Sequence, residues 1–207
     1  METLTLFPGF EINISHMADG DMRNTSIRPD IYRPYPQLHS TDMVEYLWKN
    51  EDELKNIDGI YTQLHDVFIW ALCADCPVLL FMGNNEIAAV HSGWRGSKAH
   101  ICSVAVKFFK NTPISDLKVY IGPHIQKDSY EVKEDFFEHF PKKYIIEHDY
   151  KYYFDIERYL IDDLIAIGLK RENIYSHGWD TASESHYFSY RRDGMIGVGC
   201  VALKMIS

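Results

Sequence analysis

The chain has 207 residues, 46% hydrophobic and 25% charged, the balance of an ordinary globular protein long enough to bury a core. Its net charge of −9 argues against a general nucleic-acid binder, which carries a basic stripe. No apolar run approaches the roughly 18 residues that span a bilayer, the first residues lack the regions of a secretory leader, and four cysteines read as reduced thiols. The expectation is one domain over residues 1–207, cytoplasmic, off the membrane, monomeric or a small homo-oligomer.

Residues 1–37 show little periodicity. Asp19-Gly20-Asp21 reads as a turn, and Pro29, Pro34 and Pro36 predict an extended loop. Residues 43–48 have strand character and 51–56 read as a short helical turn. Residues 67–73 and 78–82 are apolar runs of buried-strand type. Gly83-Asn84-Asn85 then predicts a tight turn into a return strand over 86–90. A helix is predicted over 98–110, because Ile101, Val104, Ala105 and Phe108 recur at helical spacing, with Ser97 as N-cap. Further on, 117–121 and 152–155 read as strands and 132–140 as a helix stopped by Pro141. Residues 156–167 form an amphipathic helix closed by Gly168, and 174–176, 187–191 and 196–203 read as late strands. The irregular order and the tight hairpin favour an α+β domain over a doubly wound parallel sheet.

Three residues fall at predicted strand ends. Cys76 lies in Ala74-Asp75-Cys76-Pro77, His91 closes the 86–90 strand, and His39 precedes the strand at 43. Singly, Cys76 reads either as a small buried hydrophobe or as a thiolate ligand or nucleophile, and each histidine as a structural imidazole. Cys73 and Cys76 make a CxxC without the second pair a structural zinc site needs. Together, two imidazoles and a thiolate form a three-ligand set with a fourth position open, the pattern of a catalytic zinc site. The spacings of this set match no local zinc motif.

Longer motifs add specificity. Gln37-Leu38-His39-Ser40, Ala74-Asp75-Cys76-Pro77-Val78, Ala88-Ala89-Val90-His91-Ser92-Gly93-Trp94-Arg95-Gly96, Ile121-Gly122-Pro123 with Tyr130-Glu131-Val132, and Phe188-Ser189-Tyr190-Arg191-Arg192-Asp193-Gly194 follow in order. The chain resembles the laccase-domain family, also called multicopper polyphenol oxidases and now mostly described as purine nucleoside phosphorylases. The match covers about residues 37 to 203. The resemblance implies a single α+β domain with a mixed, largely antiparallel, β-sandwich-like core flanked by helices. It implies zinc, with copper as the other candidate, at His39, Cys76 and His91. It also implies phosphorolysis of adenosine, inosine and 5′-methylthioadenosine, with adenosine deamination; related members edit mis-built peptidoglycan precursors. The chain departs from the family where His124 follows Ile-Gly-Pro in place of Cys, and where Asp180-Thr181 replaces Cys-Thr. A third departure is its short N-terminal section, in which residues 15–22 stand for an arginine-containing segment. These departures bear on substrate preference more than on the metal.

For phosphorolysis, Gly93 begins a turn into a helix whose first N–H groups can cradle phosphate, and Arg95 can add a charged contact. Arg191, Arg192 and His124 are further substrate-binding candidates. Arg191 and Arg192 read equally as solvated, and His124 equally as a loop histidine. Cys76, His91 and Asp75 are the catalytic candidates; Asp75 reads as a proton shuttle, as a hydrogen-bond partner of a ligand histidine, or as the residue that fixes the turn before Pro77. Trp94 could stack on a base or simply pack. The alternatives are a Cys-His amide hydrolase with Cys76 as nucleophile, a copper-dependent phenol oxidase, and a non-catalytic metal-bound scaffold.

Overall fold

The computed structural model describes residues 1–24, 37–47 and 55–207. The expected loop at Pro29, Pro34 and Pro36, residue 48 of the expected strand and most of the turn at 51–56 lie outside the described residues.

The centre of the fold is the hairpin of β6 (Val78–Gly83) and β7 (Glu86–His91), numbered in chain order. Its register runs from Val78 opposite His91 to Gly83 opposite Glu86, so Asn84 and Asn85 make the two-residue turn, Asn85 with φ of 56°. Four further strands complete a six-stranded sheet: β3 (Met43–Glu45), β4 (Gly59–Thr62), β8 (Lys118–Ile121) and β12 (Ile174–Ser176). The order is β12-β8-β6-β7-β4-β3, parallel only in the outermost pairs. A four-stranded antiparallel sheet, β1 (Glu2–Leu4), β2 (Phe10–Ile14), β13 (Gly199–Met205) and β5 (Phe68–Cys73), is ordered β1-β2-β13-β5.

Period-two alternation sorts these strands into layers. Val78, Leu80, Met82, Ile87 and Ala89 face Ile12, Ile14, Ile69, Ala71, Val201 and Leu203 across the sandwich. Leu79, Phe81, Ala88 and Val90 point the other way, onto Ile101, Ala105, Leu160 and Leu164 of the helical layer. That is why β6 and β7 read as unbroken apolar runs: both faces are covered. A small sheet of β9 (Glu131–Val132), β10 (Ile145–His148) and β11 (Lys151–Phe154), ordered β10-β11-β9, lies beside the helices. The expected α+β fold with a largely antiparallel, sandwich-like core and flanking helices is what the structure shows.

Several local expectations are corrected. The helix over 98–110 is two five-residue helices, α1 (Trp94–Lys98) and α2 (Ile101–Ala105). His100 sits between them at φ 58°, tied to Asp163 at 2.8 Å, and a left-handed residue interrupts the ladder while the apolar spacing continues. Ser97 is not the cap; it lies inside α1, which Gly93 caps, and its hydroxyl bonds the carbonyls of Ser92 and Gly93. Residues 132–140 hold the end of β9 and a 3₁₀ segment, not an α-helix. Residues 187–191 are not a strand: Ser189 accepts a hydrogen bond from the Arg192 amide and starts α4 (Tyr190–Asp193). The helix α3 (Ile156–Ile167), capped by Asp155 and closed by Gly168 at φ 117°, is as expected.

Candidate metal centre and the clefts beside it

Sheet pairing assembles the site. β7 runs between β6 and β4 and antiparallel to both, so its last residue meets the segments that enter them. His91 therefore lies beside Cys76, two residues before β6, and Asp58, one residue before β4. His39 arrives on the loop leading to β3, beside β4.

The three predicted ligands do converge. Nε2 of His39 and Sγ of Cys76 are 3.8 Å apart, the imidazoles of His39 and His91 meet edge to face at 4.8 Å, and one donor atom from each residue lies within 4.8 Å of the others. Donors around a tetrahedral zinc lie roughly 3.5 Å apart, so the set fits such an ion. Gly93 explains the close approach: a Cβ there would stand 2.7 Å from His39 Cδ2 and 3.0 Å from Cys76 Sγ.

Asp58 was not singled out from the sequence, although it is the lone acid in the apolar run 57–61. It is fully buried. Its carboxylate accepts the main-chain N–H groups of Leu38, His39 and Ser40 at 3.3, 3.0 and 2.6 Å, the Ser40 hydroxyl at 2.7 Å, and Nδ1–H of His91 at 2.8 Å. One carboxylate thus curls the His39 loop, with His39 itself at φ 57°, and holds His91 with Nε2 toward the other donors. Burial pushes the Asp58 carboxyl up, but the bonds from His91 and Ser40 outweigh it and hold it at about 2. Burial likewise raises the Cys76 thiol, and the imidazoles of His39 and His91 bring it down to about 6. Burial lowers His91, and Asp58 and Cys76 raise it to about 9. A thiolate at Cys76 is favoured at neutral pH.

Two clefts share His39, Ala74, Cys76 and Met195 as a common ridge. The larger, about 570 Å³, is lined by Arg95, Arg191, Tyr130 and Tyr190, among others. The Arg95 guanidinium lies 4.3 Å from the Trp94 ring and that of Arg191 5.6 Å from the Tyr130 ring; among the described residues neither forms an ion pair with a carboxylate. Trp94 also stacks on His139 at 5.2 Å, so it packs within the wall. The smaller cleft, about 340 Å³, is lined by Arg23, Leu72, Cys73 and Val198 beside the ridge. Arg23 was not singled out from the sequence either.

Of the remaining candidates, Asp75 lines the larger cleft, whereas Arg192 and His124 border neither. Asp75, at φ 85°, accepts the Thr181 hydroxyl at 2.7 Å and the Arg191 amide at 2.6 Å, so its carboxylate joins the Cys76 turn to α4. Arg192 turns away from the clefts, donating to the carbonyls of Thr181 at 3.0 Å and Tyr187 at 2.7 Å and pairing with Asp193. His124 is fully buried and borders neither cleft; its Nδ1 bonds the Gly122 carbonyl at 2.7 Å and its Nε2 meets Gln126 Nε2 at 3.0 Å. Burial lowers its pKa. Asp180 is its neighbour across a β-bridge and accepts from Ser129 and Gln126, so the two altered family positions adjoin each other.

The sequence pattern of the multi-copper polyphenol oxidoreductase laccase family matches residues 22–205. The chain belongs to this family. A relative named purine nucleoside phosphorylase from Aquifex aeolicus is 30% identical over 163 residues, 79% of this chain and 77% of the relative. Another of that name from Clostridium acetobutylicum is 31% identical over 166 residues, 76% and 70% of the two chains. Among solved structures, Neisseria meningitidis protein NMB0706 superposes with a TM-score of 0.84 at 21% identity, covering 100% of this chain and 99% of that one. YlmD from Geobacillus stearothermophilus gives 0.79 at 21% identity, covering 97% and 93%. These likenesses bear on the fold. Among the described residues, no helix is long and apolar enough to cross a membrane.

Proposed function

We propose that this protein is a cytoplasmic, zinc-dependent purine nucleoside phosphorylase acting on adenosine, inosine and 5′-methylthioadenosine, with adenosine deaminase activity. The observation that carries the reading is the pair Arg95 and Arg191, two guanidiniums that pair with no carboxylate among the described residues, beside a three-donor group, on a chain of net charge −9. The names of the relatives from Aquifex aeolicus and Clostridium acetobutylicum support it.

His39, Cys76 and His91 would hold the ion; one thiolate and two imidazoles suit zinc, whose Lewis acidity is the chemistry it supplies. Arg95 and Arg191 hold phosphate by charge-assisted hydrogen bonds and aim an oxygen at the anomeric carbon. The new C–O bond forms as the C–N bond to the purine breaks, and the electron pair leaves with the purine, which takes up a proton. α1 has only five residues, so the side chains rather than a helix dipole carry the anion. Asp58 and Asp75 are positioning residues: Asp58 orients His91 and the His39 loop, and Asp75 fixes the amide of Arg191.

Incubation of the pure protein with adenosine or inosine and phosphate tests this. Free purine and pentose 1-phosphate are expected; the absence of purine from every nucleoside at high enzyme overturns it. A second reading has one observation of its own. Asp58, His91 and Cys76 form a carboxylate–imidazole–thiol series, the arrangement of a Cys-His amide hydrolase. That reading requires amide hydrolysis that survives chelation and is abolished by thiol alkylation.

A further inference from the structure

The wall that carries Arg191 has a support with no role in the reading above. Arg191 is exposed, yet its side chain is held: Nη1 donates to the Ser129 carbonyl at 3.3 Å, and the guanidinium lies over the Tyr130 ring. Among the described residues no other acceptor bonds this guanidinium, so its Nε and Nη2 donors keep one edge of the fork open. Ser129 is itself fixed. Its amide and that of Tyr130 both donate to the Gln126 carbonyl at 2.9 Å, which closes a turn, and its hydroxyl donates to Asp180 Oδ2 at 2.5 Å. Asp180 Oδ1 accepts the amides of Gln126 at 3.2 Å and Ala182 at 3.0 Å, so one carboxylate ties both ends of the turn to residues 180–182. The next residue, Thr181, is buried and donates its hydroxyl to Asp75 Oδ1 at 2.7 Å, while Asp75 Oδ2 takes the Arg191 amide at 2.6 Å. Two adjacent residues thus support Arg191 at both ends: Thr181 through Asp75 at the main chain, and Asp180 through Ser129 at the guanidinium.

We propose that Asp180, acting through Ser129, is a positioning residue for Arg191 and sets the affinity of the larger cleft for inorganic phosphate. For the anion this rests on the phosphorylase reading. An exposed arginine loses rotamer freedom when it takes up an oxyanion. The Ser129 carbonyl removes part of that freedom beforehand and presents the Nε–Nη2 edge, whose two parallel donors match two oxygens of a tetrahedral anion. The Asp180–Ser129 bond keeps that carbonyl in place, although neither side chain touches the anion. Arg95 is held differently: among the described residues its guanidinium forms no hydrogen bond and lies 4.3 Å from the Trp94 ring. Arg191 is therefore the fixed member of the pair, and Arg95 the one that adjusts to the anion.

Ser129→Ala removes the hydroxyl but keeps the carbonyl that Arg191 uses, and Ser129→Thr puts a hydroxyl back. Calorimetric titration of inorganic phosphate into the full chain reads their effect without requiring turnover. Ser129→Ala is expected to weaken phosphate binding about 5- to 20-fold, the loss of one charge-assisted bond, and Ser129→Thr to recover most of it. In an Arg191→Ala background Ser129→Ala should have no further effect, whereas in Arg95→Ala it keeps its size; a general loosening of the fold would act alike in both. In turnover the change appears in KM for phosphate and not in kcat. Equal phosphate affinity in Ser129→Ala and the unaltered protein overturns the proposal, as does an undiminished effect in the Arg191→Ala background, or no phosphate binding at all. Weakened phosphate binding in Ser129→Ala without phosphorolysis by any form sinks only the phosphorylase reading; phosphorolysis whose KM for phosphate is unmoved by Ser129→Ala sinks only this one.

Discussion

The ligand end of the six-stranded sheet and the wall of the larger cleft are built differently. Asp58, Cys76 and His91 stand within two residues of the ends of β4, β6 and β7, so ladder hydrogen bonds fix their backbones. Arg95 and Arg191 sit on helices of five and four residues, held by side-chain bonds: Ser97 to Ser92 and Gly93, Asp75 to the Arg191 amide, and Ser189 to Arg192. Rigid elements carry the atoms whose separation decides whether an ion binds. Short, locally capped elements carry the groups proposed to meet substrate, where small changes of reach would alter preference without disturbing the donors.

If this division holds, substitutions at the two places separate cleanly. Cys76→Ala should cost the most: phosphorolysis falls at least ~10³-fold and the metal is lost, since two imidazoles remain of three donors, read by metal analysis beside turnover. Full metal content in this variant breaks the assignment of the ligand end. Arg95→Ala and Arg191→Ala should each raise KM for phosphate roughly 10- to 100-fold, the loss of a charged hydrogen bond, with metal content unchanged. Metal loss in either variant removes the distinction.

Asp58→Asn belongs to the ligand end, although Asp58 supplies no donor atom. It should weaken metal affinity about 10- to 100-fold, the usual effect of losing the partner of a ligating imidazole, measured by competition with a chelator. In chelated protein the same carboxylate gives an acid signature. Its folded value of about 2 lies below the ordinary 3.8, so its contribution to stability is present above pH ~4 and fades as pH falls towards 2. The unaltered protein should lose about 2 kcal/mol over that window relative to Asp58→Asn, seen by denaturant titration at each pH. Arg192→Ala should have the smallest effect, about 1–2 kcal/mol of stability from lost carbonyl contacts, with KM for phosphate unmoved. A phosphate effect there would show that the arginine pair had been chosen wrongly.

The sandwich was legible because β5, β6 and β7 are apolar on both faces and the Asn-Asn turn marks their hairpin. β4 was not legible: it has four residues, and its pairing with β7 lies far along the chain. Asp58 was missed for the same reason, since its five bonds reach 18 to 33 residues away. His39, Cys76 and His91 are grouped by their places at predicted strand ends, but the specificity comes from the family resemblance, because local spacing says nothing about which strand ends meet. The helix over 98–110 misled because its apolar spacing runs on across His100, whose backbone is held by a contact to α3 that no local pattern contains. Arg23 was not legible as a cleft residue because Asp21, which holds it, is fixed by the Val198 amide 177 residues along the chain.

The Asp58 carboxylate also has a consequence for the order of assembly. It joins three stretches that start far apart: the His39 loop, the start of β4 and the end of β7. A chain whose β4 has not yet docked on β7 presents Cys76 and His91 on the central hairpin but has no anchor for His39. Tight capture of an ion by these donors would therefore come after closure of that half of the sheet, and would return its free energy to the closed form. On the proposed metal reading, uptake would be a timestamp of folding, marking when β4 has docked on β7.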